Sequence, residues 1–215
     1  MTGIQHLKGG KYIFISFLLV AVLSAVSGAM VWKATQSAQP PEQPALLVLP
    51  EARRIPPFTL TDHDGAAFGL DRLRDKWSLL FFGFTHCPDI CPGTLYELQQ
   101  VDQRLADSGV PASDYQVIFV SVDPERDDPA RLKDYVTYFD PEFMGVTGSH
   151  AEMGPLTRVL GIAYRIDEHE AGTPDYGVDH SASVLLVNPD GRLHGVFPAP
   201  LDAAEMVTTL GGLVN

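Results

Sequence analysis

Cys87 and Cys91 are the two cysteines of this 215-residue chain, and they lie four positions apart in the segment Thr85–Pro92. An apolar run precedes the segment, and apolar residues at helical spacing follow it. If a helix begins here, both sulfur atoms lie on one face of it, because residues four apart are neighbours on a helix surface. The start of the helix is expected to lower the thiol pKa values and so favour the thiolate, which metal binding and disulfide exchange both require.

Three kinds of chemistry are compatible with this dithiol: a structural disulfide, a redox-active pair and a metal site. A disulfide across a loop of roughly five residues removes only about 2 kcal/mol of unfolded-state entropy, against about 4.7 kcal/mol for a loop of 100 residues. The short spacing therefore disfavours a structural disulfide. The dithiol alone does not distinguish redox from metal chemistry, so a third ligand is needed to decide.

The pattern of apolar residues predicts an α/β domain around the cysteines. Short continuous apolar runs are typical of buried strands, and the runs at 78–84 and 116–122 are each followed by a sequence with helical periodicity. The order of strand, helix, strand, helix, hairpin and helix predicts a thioredoxin-like fold with an N-terminal hairpin and a helical insertion. The predicted elements are a leading hairpin turning at Asp64-Gly65, strands at 78–84 and 116–122, helices from Leu95 and Pro129, a helix with a capping box at Ser149 and Glu152, a hairpin of 183–187 and 192–197, and a closing helix at 201–213.

His180 is the candidate third ligand among seven histidines. In a thioredoxin-type fold, the segment before the 183–187 strand passes beside the active-site cysteines, and no proline occupies that place here. Two thiolates and one imidazole make a soft trigonal set that suits Cu(I), whereas Zn(II) prefers a fourth ligand. The neighbouring Asp179 either orients the imidazole or is an ordinary turn carboxylate, and His86 is a weak ligand candidate because its side chain points away from that of Cys87.

Three motifs in this order resemble the Sco/SenC family, whose members are membrane-anchored copper proteins that assist assembly of the CuA centre of cytochrome c oxidase. The motifs are Phe82–Pro92 (FGFTHCPDICP), Ser121–Asp127 (SVDPERD) and Val178–Ser181 (VDHS). The resemblance covers Ile55 to Leu213, and it implies one copper ion, Cu(I) or Cu(II), on Cys87, Cys91 and His180. The family usually has threonine where Asp128 stands here, a departure that affects no ligand.

Two aromatic residues and one acidic loop are expected to lie near this site. Phe84 is expected to pack close to the metal, whereas Tyr176 either shields the site or belongs to the edge of the core. The loop Asp123–Asp127 is interpreted as a strand-to-helix connection with capping carboxylates, structural rather than catalytic.

The N-terminal part of the chain predicts a single transmembrane helix. Tyr12–Trp32 is a run of 21 residues without a charged side chain, long enough at about 1.5 Å per residue to cross a hydrocarbon core of about 30 Å. Lys8 and Lys11 precede this run, whereas all 27 acidic residues follow it. This predicts a bacterial inner-membrane protein with a cytoplasmic N-terminus at 1–11, an anchor at 12–32 and a soluble domain in the periplasm.

A cleaved signal peptide is the alternative, with small residues for cleavage at Ser27–Ala29, but the apolar run is longer than usual for one. Residues 33–53 contain several prolines, which predicts an extended tether, or a plain spacer, before a domain at 54–215. The formal net charge of −12 is unfavourable for nucleic-acid binding.

These observations predict a periplasmic copper chaperone that transfers copper by ligand exchange. The resemblance implies that its partners are subunit II of cytochrome c oxidase, through the CuA domain, and other periplasmic copper chaperones or thiol reductants. The alternative is a thiol-disulfide oxidoreductase that uses Cys87 and Cys91 as its redox pair to reduce the CuA cysteines. A copper- or redox-sensing module is a third interpretation.

Overall fold

The structure is a computed structural model that describes residues 9–36, 45–173 and 175–214. The chain divides into two compact units, residues 1–43 and 44–215. Most of the predicted cytoplasmic segment, residues 1–8, and the middle of the predicted tether, residues 37–44, lie outside the described residues.

The first unit contains one long helix, α1 (Gly9–Gln36). Its segment Ile15–Lys33 is long and apolar enough to cross a membrane, and none of that segment is buried by protein. Exposed leucine, valine and phenylalanine side chains around a whole helix are unfavourable in water and favourable in lipid.

The second unit is built on an eight-stranded mixed sheet, beside a separate two-stranded pair. The strands are β1 (Leu47–Arg54), β2 (Thr59–Asp62), β3 (Ala67–Gly69), β4 (Trp77–Gly83), β5 (Tyr115–Ser121), β6 (Met144–Thr147), β7 (Tyr164–Ile166), β8 (Val178–His180), β9 (Val184–Val187) and β10 (Arg192–Phe197). The strand order in the large sheet is β1-β10-β9-β4-β5-β6-β2-β3, and β7 and β8 form the separate pair. Strand β4 pairs in parallel with β5, and β5 with β6, whereas the other pairs are antiparallel.

Helices cover both faces of this sheet, so the two central strands β4 and β5 are buried on both sides. The remaining helices are α2 (Ile90–Asp107), α3 (Pro129–Phe139), α4 (His150–Leu160) and α5 (Ala203–Val214), with a short 3₁₀ helix at Leu70–Leu73. Side chains of α2, α3 and α5 pack on one face with Phe81 and Phe119. Those of α4 pack on the other with Phe82 and Ile118. The fold class predicted from the sequence is confirmed.

Four strands lie where the sequence analysis placed none. Strand β1 occupies part of the predicted tether and pairs with β10, so the second unit begins before residue 54. Strand β6 extends the parallel part of the sheet beside β5. The pair β7-β8 carries His180 opposite Tyr164, which gives this histidine a regular backbone position.

Candidate metal centre

Both cysteines lie at the carboxyl end of the central strand β4, where the chain turns into α2. Cys87 is in the connecting loop and is partly exposed, whereas Cys91 is in the first turn of α2 and is fully buried. The backbone N–H of Cys91 donates a hydrogen bond to Cys87 Sγ at 3.4 Å. Both side chains are free thiols. The turn from strand to helix thus brings two sulfur ligands to the same edge of the sheet.

Burial raises the pKa of the Cys91 thiol, and a charge on the nearby Cys87 raises it further. The prediction that the helix start would lower the thiol pKa is therefore wrong for Cys91. A thiolate loses its hydration on entering the core, and for Cys91 this cost exceeds the stabilisation that the partial charge of a helix terminus provides. A metal ion must displace a proton from this sulfur in order to bind.

His180 ends β8 with its ring directed at the cysteines. Its Nε2 lies 3.3 Å from Cys91 Sγ, and its Nδ1 lies 3.1 Å from the carbonyl oxygen of Ser181. Because a carbonyl only accepts hydrogen bonds, Nδ1 carries the proton and the Nε2 lone pair is directed at the sulfur. Burial lowers the pKa of His180, which favours the neutral imidazole that metal ions require.

The ligand atoms of Cys87, Cys91 and His180 all lie within 4.8 Å of one another. Within the described ranges, no other group of three or more His, Cys, Asp and Glu residues has its ligand atoms so close together. Metal bonds of about 2.0–2.3 Å in a trigonal set place the ligand atoms about 4 Å apart. The arrangement therefore fits one small metal ion, and its soft donor set suits Cu(I).

Two phenylalanine rings pack around the imidazole of His180. The Phe84 ring meets it edge-on with centroids 5.8 Å apart, and the Phe81 ring lies at 5.9 Å. Both rings are buried. Phe84 therefore packs at the predicted metal site, as expected from the sequence, and the two rings limit the orientations available to the imidazole.

Gly83, the last residue of β4, provides the space that Cys91 occupies. A Cβ atom at this position would lie 2.6 Å from Cys91 Sγ and 2.8 Å from Phe119 Cε2. Carbon atoms in ordinary contact are about 3.5–4.0 Å apart. Only glycine leaves the sulfur in its present position, a requirement that the sequence analysis missed.

Asp127 anchors the loop that leads to Cys87. Its carboxylate is fully buried and accepts hydrogen bonds from the Thr85 backbone N–H at 2.9 Å and from the Thr85 hydroxyl at 2.6 Å. The Ser121 hydroxyl donates a further bond at 2.6 Å. A buried carboxylate is tolerated only when its oxygens are satisfied in this way. Asp127 thus holds the loop that leads to Cys87 against the end of β5. This agrees with the prediction that the segment Asp123–Asp127 is structural rather than catalytic.

Arg126 connects the second motif with the segment that precedes His180. Its guanidinium lies 3.6 Å from the centroid of the Tyr176 ring and 5.5 Å from that of Phe84. Buried Asp123 accepts hydrogen bonds from Arg126 Nε at 2.5 Å and from the Tyr176 hydroxyl at 2.6 Å. Tyr176 also stacks on His169, at 3.6 Å between ring centroids. Sequence reasoning missed this role of Arg126, because the contacts join residues far apart in the chain.

Two residues near the ligands point elsewhere. The exposed carboxylate of Asp179 accepts a hydrogen bond from Arg165 at 2.8 Å, so of its two sequence interpretations the surface role is the one observed. Adjacent residues of a strand face opposite sides, which turns Asp179 away from the site of His180. The His86 ring lies 3.3 Å from the Thr85 hydroxyl and is outside the ligand group.

Comparison with known proteins places these features in a family. The sequence model of the SCO1/SenC family matches residues 49–215. A putative copper-binding protein of Stutzerimonas stutzeri is 38% identical over 160 residues, which cover 74% of this chain and 76% of that protein.

Solved structures show the same fold. ScoI of Bradyrhizobium japonicum, solved with copper bound, is 36% identical with a TM-score of 0.64, and the match covers 73% of this chain and 97% of that one. BsSco, described as a member of the Sco family of cytochrome c oxidase assembly proteins, is 24% identical with a TM-score of 0.60, covering 79% of this chain and 98% of that one.

Proposed function

Because the chain belongs to the SCO1/SenC family, we propose that it is a membrane-anchored periplasmic copper chaperone that delivers copper to the CuA centre of cytochrome c oxidase. The observation that carries this proposal is the group of two thiols and one neutral imidazole at the end of β4. Copper is the cargo of the protein. The three ligands leave the ion accessible from one side, because Cys87 is partly exposed.

Each ligand has a distinct part in holding the ion. Cys91 supplies a buried sulfur whose proton leaves when copper enters, and Cys87 supplies the more accessible sulfur. His180 binds through Nε2 without losing a proton, because its proton is on Nδ1. Transfer then proceeds by ligand exchange, in which thiolates of the receiving protein replace these ligands one at a time. The accessible sulfur of Cys87 is the first that an incoming ligand can displace.

The membrane assignment is part of the same proposal. Helix α1 is long and apolar enough to serve as an anchor, and Lys8 and Lys11 precede its apolar segment, whereas all 27 acidic residues follow it. Two lysines shortly before the span, against Lys33 alone directly after it, favour a cytoplasmic N-terminus. The metal-binding unit then faces the periplasm, where subunit II of the oxidase presents its copper site.

Copper transfer to the isolated apo CuA domain of oxidase subunit II tests this function. The full-length chain in detergent, loaded anaerobically with Cu(I), is mixed with the apo domain, and copper in each protein is measured after separation. We expect copper to move to the CuA domain, and Cys87→Ser to abolish the loading on which transfer depends. Retention of all copper by the loaded chain, with an apo domain that accepts free Cu(I), would contradict the proposal.

A thiol-disulfide oxidoreductase is the second candidate, supported by two free thiols whose sulfur atoms lie within 4.8 Å of each other. In that reaction the two thiols lose two electrons and two protons to become a disulfide, while a disulfide of the partner becomes two thiols. The raised pKa of Cys91 disfavours its thiolate. If the oxidised CuA domain is reduced equally well by the chain carrying His180→Ala, the reductase is favoured, because that reaction does not use the imidazole.

A further inference from the structure

An open groove of about 560 Å³ lies beside the metal centre. One wall is a face of α2 that includes Ile90, Gly93 and Glu97, and the other wall includes Ala182 and Leu201. The lining is mainly apolar. Residues 90, 93 and 97 share one side of the helix because of their spacing, while the buried Cys91 faces the core.

Some residues that line the groove are close in sequence to the proposed copper ligands. Ile90 lies between Cys87 and Cys91 and is 50% exposed. Ala182 is two residues beyond His180. Together with the other apolar residues of the lining, Ile90 forms an accessible apolar surface close to the metal site.

Gly93 leaves the floor of this groove open. It lies within α2, where glycine is one of the least favourable residues. A Cβ atom at this position would meet no atom within 4 Å, so no close contact requires glycine. The fold therefore gains no stability from Gly93, whereas the missing side chain allows another main chain to approach the helix closely.

Two carboxylates give the groove a negative charge. Asp89 and Glu97 line it, and neither forms an ion pair among the residues that the structure describes. A partner with lysine or arginine side chains would complement these charges, since opposite potentials across an interface favour association and fix orientation.

We infer that this groove docks the segment of the copper-receiving protein that flanks its own copper-binding thiolates. The segment lies in the groove with an apolar side chain against Ile90 and Leu201 and with basic side chains near Asp89 and Glu97. This inference rests on the proposed function, because ligand exchange requires the incoming sulfur to come within about 2.3 Å of the metal. A segment seated against Ile90, which lies between the two cysteines in the sequence, has its neighbouring thiolates close to the metal site.

Filling the groove without disturbing the metal site tests the inference. Gly93→Gln places a side chain on the groove floor, and Gly154→Gln is the matched control, because Gly154 lies in α4 and a Cβ there also meets no atom within 4 Å. Full-length variants in detergent are loaded with Cu(I) and mixed with the apo CuA domain. The second-order rate constant of transfer is measured at several salt concentrations, beside the Cu(I) affinity of each variant and its state of association by sedimentation.

We expect Gly93→Gln to bind Cu(I) with unchanged affinity but to transfer it about tenfold more slowly or worse, a loss typical of a central interface residue. Gly154→Gln is expected to match the wild type. Glu97→Gln is expected to slow transfer and to weaken its salt dependence.

Two results would overturn the docking inference while leaving the proposed function intact. One is equal transfer rates for the wild type, Gly93→Gln and Gly154→Gln. The other is a change in self-association caused by Gly93→Gln with an unchanged transfer rate, which would assign the groove to a second copy of the chain. If the wild type binds Cu(I) but transfers none, the proposed function fails and the inference fails with it.

Discussion

Replacing Gly83 by alanine is expected to damage the copper site by moving one sulfur. The new Cβ would lie 2.6 Å from Cys91 Sγ, whereas ordinary contacts are about 3.5–4.0 Å. The sulfur must therefore move by about 1 Å. Metal sites tolerate deviations of only about 0.2 Å from their bond lengths. We expect the Cu(I) affinity to fall by about 10- to 100-fold, the range observed when the surroundings of a ligand are altered.

The same substitution also overpacks the core, so its effect on stability must be separated from its effect on copper. Gly145→Ala in β6 is the matched control, because its Cβ would lie 2.9 Å from Leu132 Cβ, away from the ligands. Both variants are expected to lose about 1–3 kcal/mol of unfolding free energy. Cu(I) affinity is measured by anaerobic competition with a chromophoric chelator, and stability by urea denaturation of the apo protein.

Only Gly83→Ala is expected to lose copper affinity. If Gly83→Ala keeps the wild-type Cu(I) affinity, the view that the space at Gly83 sets the position of the sulfur is refuted. An equal loss of affinity in Gly145→Ala, at a similar loss of stability, would refute it as well, since overpacking alone would then explain the result.

Three further predictions concern the residues around the ligands. Arg126→Gln is expected to lower Cu(I) affinity about tenfold in the wild type but not in the His180→Ala background, because Arg126 acts by holding the segment before His180. Arg72→Gln is the control, because Arg72 contacts an aromatic ring (Phe68) and a buried aspartate (Asp62) in the same way but away from the metal site; its Cu(I) affinity should be unchanged. Equal effects of Arg126→Gln in the wild-type and His180→Ala backgrounds would exclude positioning through the imidazole. Asp127→Asn is expected to lower the unfolding free energy by about 2–3 kcal/mol, because its carboxylate accepts three buried hydrogen bonds; an unchanged urea midpoint would contradict this. Because burial raises the pKa of Cys91, its thiol is protonated near neutral pH and loses its proton when copper binds. The apparent Cu(I) affinity is therefore expected to rise with pH by at least about tenfold per unit between pH 6.5 and 8.5. A pH-independent affinity would contradict a protonated Cys91.

The central elements could be predicted because their signals are local. Strands β4 and β5 are buried on both faces, and they therefore read as continuous apolar runs. The capping box of Ser149 and Glu152 was predicted from a three-residue spacing and is present with both reciprocal hydrogen bonds. Such patterns involve only a few neighbouring residues, so they can be recognised without knowing which segments of the chain meet.

Strand β1 could not be predicted because its proline content is typical of an extended linker. Pro50 lies in this strand, where the pairing with β10 is irregular between Val48 and Arg53. At the edge of a sheet, a residue without a backbone N–H need not break a ladder of hydrogen bonds. The proline content of this segment therefore concealed a strand that forms by pairing with β10.

Strands β7 and β8 have three residues each, which is too short for a periodic signal. His180 was nevertheless proposed as a ligand, because its position before β9 and the VDHS motif point to the same residue. The pairing of Tyr164 with His180 explains how so short a strand holds this side chain in place. The candidate ligand was thus named from the sequence, whereas the strand that supports it was not.

The surroundings of the ligands were the least predictable part of the site. Gly83 and Arg126 are required by contacts with side chains from other segments, Cys91 and Tyr176 respectively, and a single sequence does not show which segments meet. The pKa of Cys91 was predicted with the wrong sign for the same reason. Proximity to a helix start is visible in the sequence, but burial of the sulfur is a property of the folded chain.

Anaerobic Cu(I) titration of the reduced full-length chain tests the central claim most directly. The variants are Cys87→Ser/Cys91→Ser, His180→Ala and, as a matched control, His86→Ala, whose ring lies outside the ligand group. We expect one tight equivalent for the wild type and for His86→Ala, and none for the double cysteine variant. Loss of a direct ligand in His180→Ala should weaken binding by at least about 100-fold, more than changes in a ligand's surroundings do. Unchanged Cu(I) affinity in His180→Ala would contradict the proposed copper site.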